Sequence, residues 1–216
     1  MHILVLGGTG AIGLLLIREL LTAEHTVVVY ARSPEKLPED ITSNPSVTIV
    51  KGELNDEEKV VSALQGVHAV VSALGPSASQ PPGTPIAKGY SVFITSMRKA
   101  GVPRLIALGT ASIPDEHDKK DLFFWTAKQG VKYGARHAYQ DIVAVGETIS
   151  KEGSDLAWTI ARVPFLTNGE TREYQTGYLG DGKRTTTLTR VGYAAFIVDE
   201  LKNNEWVKKR PFLSVP

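Results

Sequence analysis

The chain has 216 residues, 42% of them hydrophobic, with 24 basic and 23 acidic side chains and a formal net charge of +1. That size suits one well-packed domain and is short for two. The near-neutral balance supplies no global field for nucleic acid or an anionic membrane, so any anion binding has to be local. Cysteine is absent, which excludes disulfides, thiolate nucleophiles and sulfur-ligated metals. The chain opens on strand residues without the succession that marks a secretory signal, and no apolar run approaches the ~18 residues of a membrane span. A cytoplasmic protein with no nucleic-acid or membrane partner is expected, acting on a small molecule as a monomer or homodimer.

The first predicted element is a short aliphatic strand, His2 to Leu6, of the kind buried on both faces of a parallel sheet. It runs into glycines at 7, 10 and 13 within LVLGGTGAIG, and then into a helix from about Ala11 to Thr22. Gly7 permits a tight exit, Gly10 lets backbone N–H groups approach a pyrophosphate, and Gly13 allows the helix to pack on the strand. The helix start turns its unpaired N–H groups and partial positive charge toward that phosphate. A dinucleotide pocket follows, with Gly7, Thr9, Gly10, Ala11 and Ile12 as its binding loop.

A second strand, His25 to Tyr30, ends in Ala31-Arg32-Ser33. An NAD-preferring site places an acid there for the adenosine ribose hydroxyl. Arg32 and Ser33 instead offer a guanidinium fork and a hydroxyl suited to a 2′-phosphate, with Lys36 nearby, so NADP (NADPH) is the expected cofactor. A third strand, Val47 to Lys51, leads to Glu53 and Leu54, and a helix over Asp56 to Leu64 is capped by Asn55 or Asp56. The fourth strand, His68 to Leu74, puts Ala73, Leu74 and Gly75 where small residues and free backbone would flank the nicotinamide half of the cofactor. Gly75-Pro76 is equally a simple turn.

After a loop at Ser77 to Pro85 comes a helix, Ile86 to Ala100, and a fifth strand, Arg104 to Gly109, which presents the hydroxyls of Thr110 and Ser112 at its end. Phe123, Phe124 and Trp125 either wall a crevice or join the core, and the core is the first expectation. Lys128 is expected at the surface. A long helix from Tyr133 to Lys151 places His137 one turn after Tyr133, as a partly exposed histidine. A sixth strand spans Leu156 to Val163. The polar, glycine-bearing stretch Phe165 to Thr187 is a candidate substrate-covering loop. A helix from Thr189 or Arg190 to about Asn203 and a short edge strand at Pro211 to Val215 close the chain. Strands alternating with helices predict an α/β fold, a single-domain doubly wound parallel sheet of Rossmann type over residues 1–216, with its ligand crevice at the carboxyl ends of the strands.

The G-x-x-G-x-x-G spacing of GGTGAIG resembles the short-chain dehydrogenase/reductase superfamily in its extended and atypical branches. The segment DLAWTIARVPFLTNG is similar to a strand pattern of the same group, with Trp158, Arg162 and Pro164 in register. The chain looks most like the NmrA-like and biliverdin-reductase-B (flavin-reductase)-like members. The resemblance implies that Glu53 and Leu54 line the adenine, and that the backbone after Pro164, at Phe165, meets the nicotinamide. It also implies that Thr110 or Ser112 binds the substrate carbonyl. A tyrosine of a Y-x-x-x-K motif would give the proton, and Tyr139 stands at that place, but Val143 occupies the position of the lysine. Val163 separates Arg162 from Pro164, which leaves the direction of Arg162 open.

Such members include flavin and tetrapyrrole reductases, enzymes of microbial secondary metabolism and NADP(H)-binding sensors. Three functions follow from the resemblance: an NADPH-dependent oxidoreductase of a small planar or carbonyl-bearing molecule; an NADP(H)-sensing regulator with little catalysis; or a non-redox isomerase or cyclase on the same fold.

Overall fold

In the computed structural model, which describes residues 1–77, 79–182 and 185–216, alternation along the first strand decides the layers. In β1 (His2–Leu6), Ile3 and Val5 point to one face of a sheet and Leu4 and Leu6 to the other, and all four are buried. The elements that follow are α1 (Ala11–Thr22), β2 (Thr26–Ala31), a short α2 (Glu39–Thr42), β3 (Val47–Lys51), α3 (Glu57–Ala63), β4 (Ala69–Ser72), α4 (Pro85–Ala100) and β5 (Arg104–Thr110). After them come α5 (Leu122–Gly134), α6 (Arg136–Glu152), β6 (Ala157–Val163), β7 (Phe165–Thr167), β8 (Gln175–Gly177), β9 (Thr187–Thr189), α7 (Arg190–Asn203) and β10 (Phe212–Ser214).

The main sheet runs in the order β3-β2-β1-β4-β5-β6-β10-β8, parallel throughout except for β8. Helices α3, α4 and α6 share a core with one face, and α1, α2 and α7 with the other. This is the doubly wound Rossmann-type domain expected, and the strand order reverses between β1 and β4, which opens the crevice there. Caps follow the expected chemistry: Asp56 accepts a hydrogen bond from the Lys59 amide at α3, and Thr189 from the Gly192 amide at α7.

Buried ions lock the far end of the sheet. Arg104, at the start of β5, pairs with Glu200 of α7 at 2.6 Å, and Glu200 also accepts from Thr159 and the Trp206 amide. No helix among the described residues is long and apolar enough to cross a membrane.

Four local readings change. The long helix expected from Tyr133 is two helices: Ala135 leaves helical geometry (φ −138°, ψ 56°), so Tyr133 falls in the last turn of α5 and His137 in the first turn of α6. Phe123 and Trp125 are not core, being 50% and 59% exposed. Helix α5 lies outside the two layers and turns only one stripe inward, where Phe124 meets Phe212 edge-on at 5.1 Å. The stretch Phe165 to Thr187 is partly ordered into strands, with β7 pairing β9 and β8 pairing β10; Lys183 and Arg184 of that stretch fall outside the described residues. The C-terminal strand β10 is not an edge, because β8 adds outside it.

Candidate functional site

The glycine loop joins β1 to α1, and steric contacts account for three of its four glycines. Gly7 has φ +73°, and a Cβ there would lie 2.9 Å from the Ala73 carbonyl carbon; Gly8 sits 2.8 Å, by the same measure, from a methyl of Val29. A Cβ on Gly13 would press into the backbone of Gly7 and Gly8, 2.6 Å from the Gly8 Cα. Gly10 is different. It is exposed, and its Cβ would meet nothing closer than the Gly7 carbonyl at 3.5 Å, so the protein's own packing gives no reason for glycine there. Gly10 is also the N-cap of α1; no side chain caps it and no acid stands in the first turn, so the helix start keeps free N–H groups and its partial positive charge.

The neighbouring strand ends carry the rest of the expected cofactor edge. Arg32 is exposed one residue beyond β2 and makes no hydrogen bond or ion pair among the described residues, with Ser33 half-buried beside it. Glu53 is exposed beyond β3, and its carbonyl accepts the Tyr30 hydroxyl at 2.8 Å. Burial, then the nearby charges of Asp56 and Glu53, push the Tyr30 phenol up to about 12, which keeps it a donor. Leu54 packs on α4, where Gly89 leaves room for it.

At the end of β4, Ser72 is held from both faces. Its hydroxyl oxygen accepts from the Tyr90 hydroxyl at 2.7 Å and its carbonyl from the Tyr193 hydroxyl at 3.0 Å. Burial raises both phenols, so both remain protonated. The Leu74 amide donates to the Ser72 hydroxyl oxygen, which fixes the path of Ala73, Leu74 and Gly75 out of the strand.

These strand ends open into a cleft of about 850 Å³. Gly10, Ala11 and Ile12 form one end, with Ala73, Gly75, Pro76 and Ser77 beside them. Leu108, Thr110, Ala111 and Ser112 form the floor; Val163 to Leu166 and Arg190 close one side, and α5 and α6 the other. The Thr110 hydroxyl oxygen accepts from the Ser112 amide at 3.2 Å. Ser112 is only 6% exposed, and its hydroxyl has no partner among the described residues.

The cleft therefore gathers Gly10, Ala11, Ile12, Ala73, Gly75, Thr110, Ser112, Pro164 and Phe165 of the expected site. Gly7, Thr9, Arg32, Ser33, Glu53, Leu54 and Leu74 lie outside its wall. Tyr139 is half-buried and off the wall as well, because the face of α6 toward the cleft carries Ala138 and Ile142 one turn apart, preceded by Ala135. Arg162, whose direction was open, is fully buried and points away from the cleft to Asp118, at 2.6 and 2.8 Å. Two cations on the wall were not foreseen. Lys128 comes from α5, and Arg190, bonded to the Asn168 side chain at 2.5 Å, from the start of α7. Neither has a motif around it. Among the described residues, no group of three or more His, Asp or Glu side chains is placed to hold a metal.

A doubly wound sheet with an uncapped glycine loop at its switch point defines a Rossmann-type dinucleotide-binding protein. Residues 7–204 match the model of the NAD(P)H-binding family, to which the chain belongs. Proteins it resembles include short-chain dehydrogenases/reductases among solved structures and a dehydrogenase among curated relatives. A short-chain dehydrogenase/reductase from Veillonella parvula DSM 2008, in complex with NADP, superposes with a TM-score of 0.81 at 18% identity, covering 100% of this chain and 94% of that one.

Among curated relatives, isoeugenol synthase 1 of Clarkia breweri is 38% identical over 79 residues, 33% of this chain and 25% of its own. A 3-beta-hydroxysteroid dehydrogenase of Mycolicibacterium neoaurum is 27% identical over 154 residues, 68% of this chain and 36% of its own. The matches thus span about a third or less of those proteins' lengths.

Proposed function

We propose that the protein is an NADPH-dependent reductase of a small, planar or carbonyl-bearing molecule. The observation that carries this reading is Gly10: a glycine that its own fold does not require, at an uncapped helix start, opening on a cleft large enough for a cofactor half and an acceptor. NADPH, when bound, supplies a hydride. The amides from Gly10 to Ile12 hold the diphosphate, Arg32 and Ser33 take the 2′-phosphate, and Ala73 to Gly75 with Pro164 and Phe165 flank the nicotinamide. Thr110 and Ser112 orient the acceptor oxygen. With no tyrosine on the wall, the proton comes from solvent, and we expect Tyr139→Phe to keep its turnover; a loss beyond tenfold would return Tyr139 to the mechanism.

NADPH oxidation against a panel of flavins, quinones and biliverdin tests the reading directly, and turnover of any of them supports it. Tight NADPH binding without turnover of any acceptor favours a second reading, a cofactor-sensing regulator, for which the apolar cleft face of α6 speaks. The NADP assignment has its own test. Arg32→Ala should weaken NADPH by tenfold or more and leave NADH nearly untouched, since charge-assisted contacts contribute ~1.5–3 kcal/mol; equal losses for both cofactors exclude it.

A further inference from the structure

The inner stripe of α5 is Phe124, Ala127, Lys128 and Val131, at the i, i+3, i+4, i+7 spacing of one helical face, and all four line the cleft. Lys128 is the one charged member of that stripe. It is half-buried, and among the described residues its ammonium has neither an ion pair nor a hydrogen bond. Among the described residues, no Asp or Glu lines the cleft. The other cation on the wall among the described residues, Arg190, is tied to Asn168 and begins α7, the helix packed on α1, so it lies on the side of the glycine loop. An ammonium held against apolar walls without a counter-ion is unfavourable by itself and becomes favourable when an anion enters with it.

We propose that Lys128 is the specificity residue of the acceptor site, and that the substrate is a flat apolar molecule carrying a carboxylate, whose charge it meets. The ring system lies between Phe124 and Val131 on α5 and Ile142 on α6. The carboxylate faces the Lys128 ammonium, and the reducible group faces Thr110 and Ser112. This rests on the reductase reading only for the identity of the reducible group; anion selection by the cleft is a property of the apoprotein too.

The test is a calorimetric titration with 2-naphthoate and its neutral isostere 2-naphthamide, run with and without saturating NADPH. Wild type should bind naphthoate at least tenfold more tightly than naphthamide, with the preference shrinking as NaCl is raised. Lys128→Met should abolish the preference while keeping the affinity for naphthamide and for NADPH, and Lys128→Arg should restore it. Equal binding of the two probes by wild type overturns the proposal, and that measurement does not depend on any variant folding. A preference that survives Lys128→Met also overturns it, as does a Met variant that loses NADPH affinity instead, which would assign Lys128 to the cofactor. Absence of NADPH binding to wild type would sink the reductase reading alone and leave the naphthoate comparison standing.

Discussion

Asp118→Ala should lower the stability of the protein by about 3 kcal/mol, read as a fall in Tm of roughly 6–12 °C, and should also loosen the cleft. The reason is the complete burial of Arg162. Its guanidinium donates to both Asp118 oxygens and to the carbonyls of Ile113 and Arg210, so removing the carboxylate leaves a charge in the interior that water cannot reach. Asp118 does more than neutralise it. Its two oxygens also accept from the amides of Leu179 and Asp115, which fastens the loop before α5 to the segment that follows β8. The helix that carries Lys128 hangs on that junction, so ligand affinity should fall together with Tm. Asp118→Asn, which keeps an acceptor oxygen in place, should lose less of both.

Glu200→Gln supplies the contrast. It breaks an equally buried pair with Arg104, but Arg104 opens β5 while Thr110 closes it, about 20 Å away at ~3.3 Å per residue. Its variant should melt early and, at temperatures where it is folded, bind as wild type. A wild-type Tm for Asp118→Ala would mean that the buried ion pair does not hold this junction.

Where each of these features could be read in advance depends on the range of the interaction that makes it. The glycine loop, the six parallel strands and the terminal helix were legible because their signals are local: apolar runs of strand length, caps, and glycines at fixed offsets. Asp118 and Arg162 lie 44 residues apart with no pattern linking them, and the direction of the arginine depended on a partner that sequence spacing does not name. The short strands β7, β8 and β9 have three residues each, too few for alternation to register.

Helix α5 misled for a different reason. Its apolar residues face both ways, Phe124 and Val131 toward the cleft and Leu122, Phe123 and Trp125 outward, so no single amphipathic stripe marks it, and Lys128 read as a surface lysine. Tyr139 was placed by counting along the chain, and one position on a helix is a turn of about 100°, enough to put Ala138 rather than the phenol on the wall. The outcome is a proposed cofactor half written in local sequence and a proposed acceptor half written in tertiary contacts.

The glycine loop separates those two kinds of information within a few residues. Gly10→Val should leave Tm within a degree or two of wild type, because the position is exposed, has ordinary extended backbone (φ −86°, ψ 164°) and would bring a Cβ no closer than ordinary van der Waals contact with the Gly7 carbonyl. It should nevertheless weaken NADPH binding by a hundredfold or more, since the added methyls stand where the diphosphate has to approach the amides. Gly13→Ala should behave in the opposite order. Its Cβ is driven into the backbone of Gly7 and Gly8, so the strand-to-helix joint must open, at an overpacking penalty of about 1–3 kcal/mol. Tm should drop first, and cofactor affinity only as far as the loop is displaced. Differential scanning fluorimetry with and without NADPH measures both effects in one experiment. If Gly10→Val retains the full NADPH-induced stabilisation, the diphosphate does not bind at the start of α1, and the glycine that the fold leaves unexplained needs another ligand.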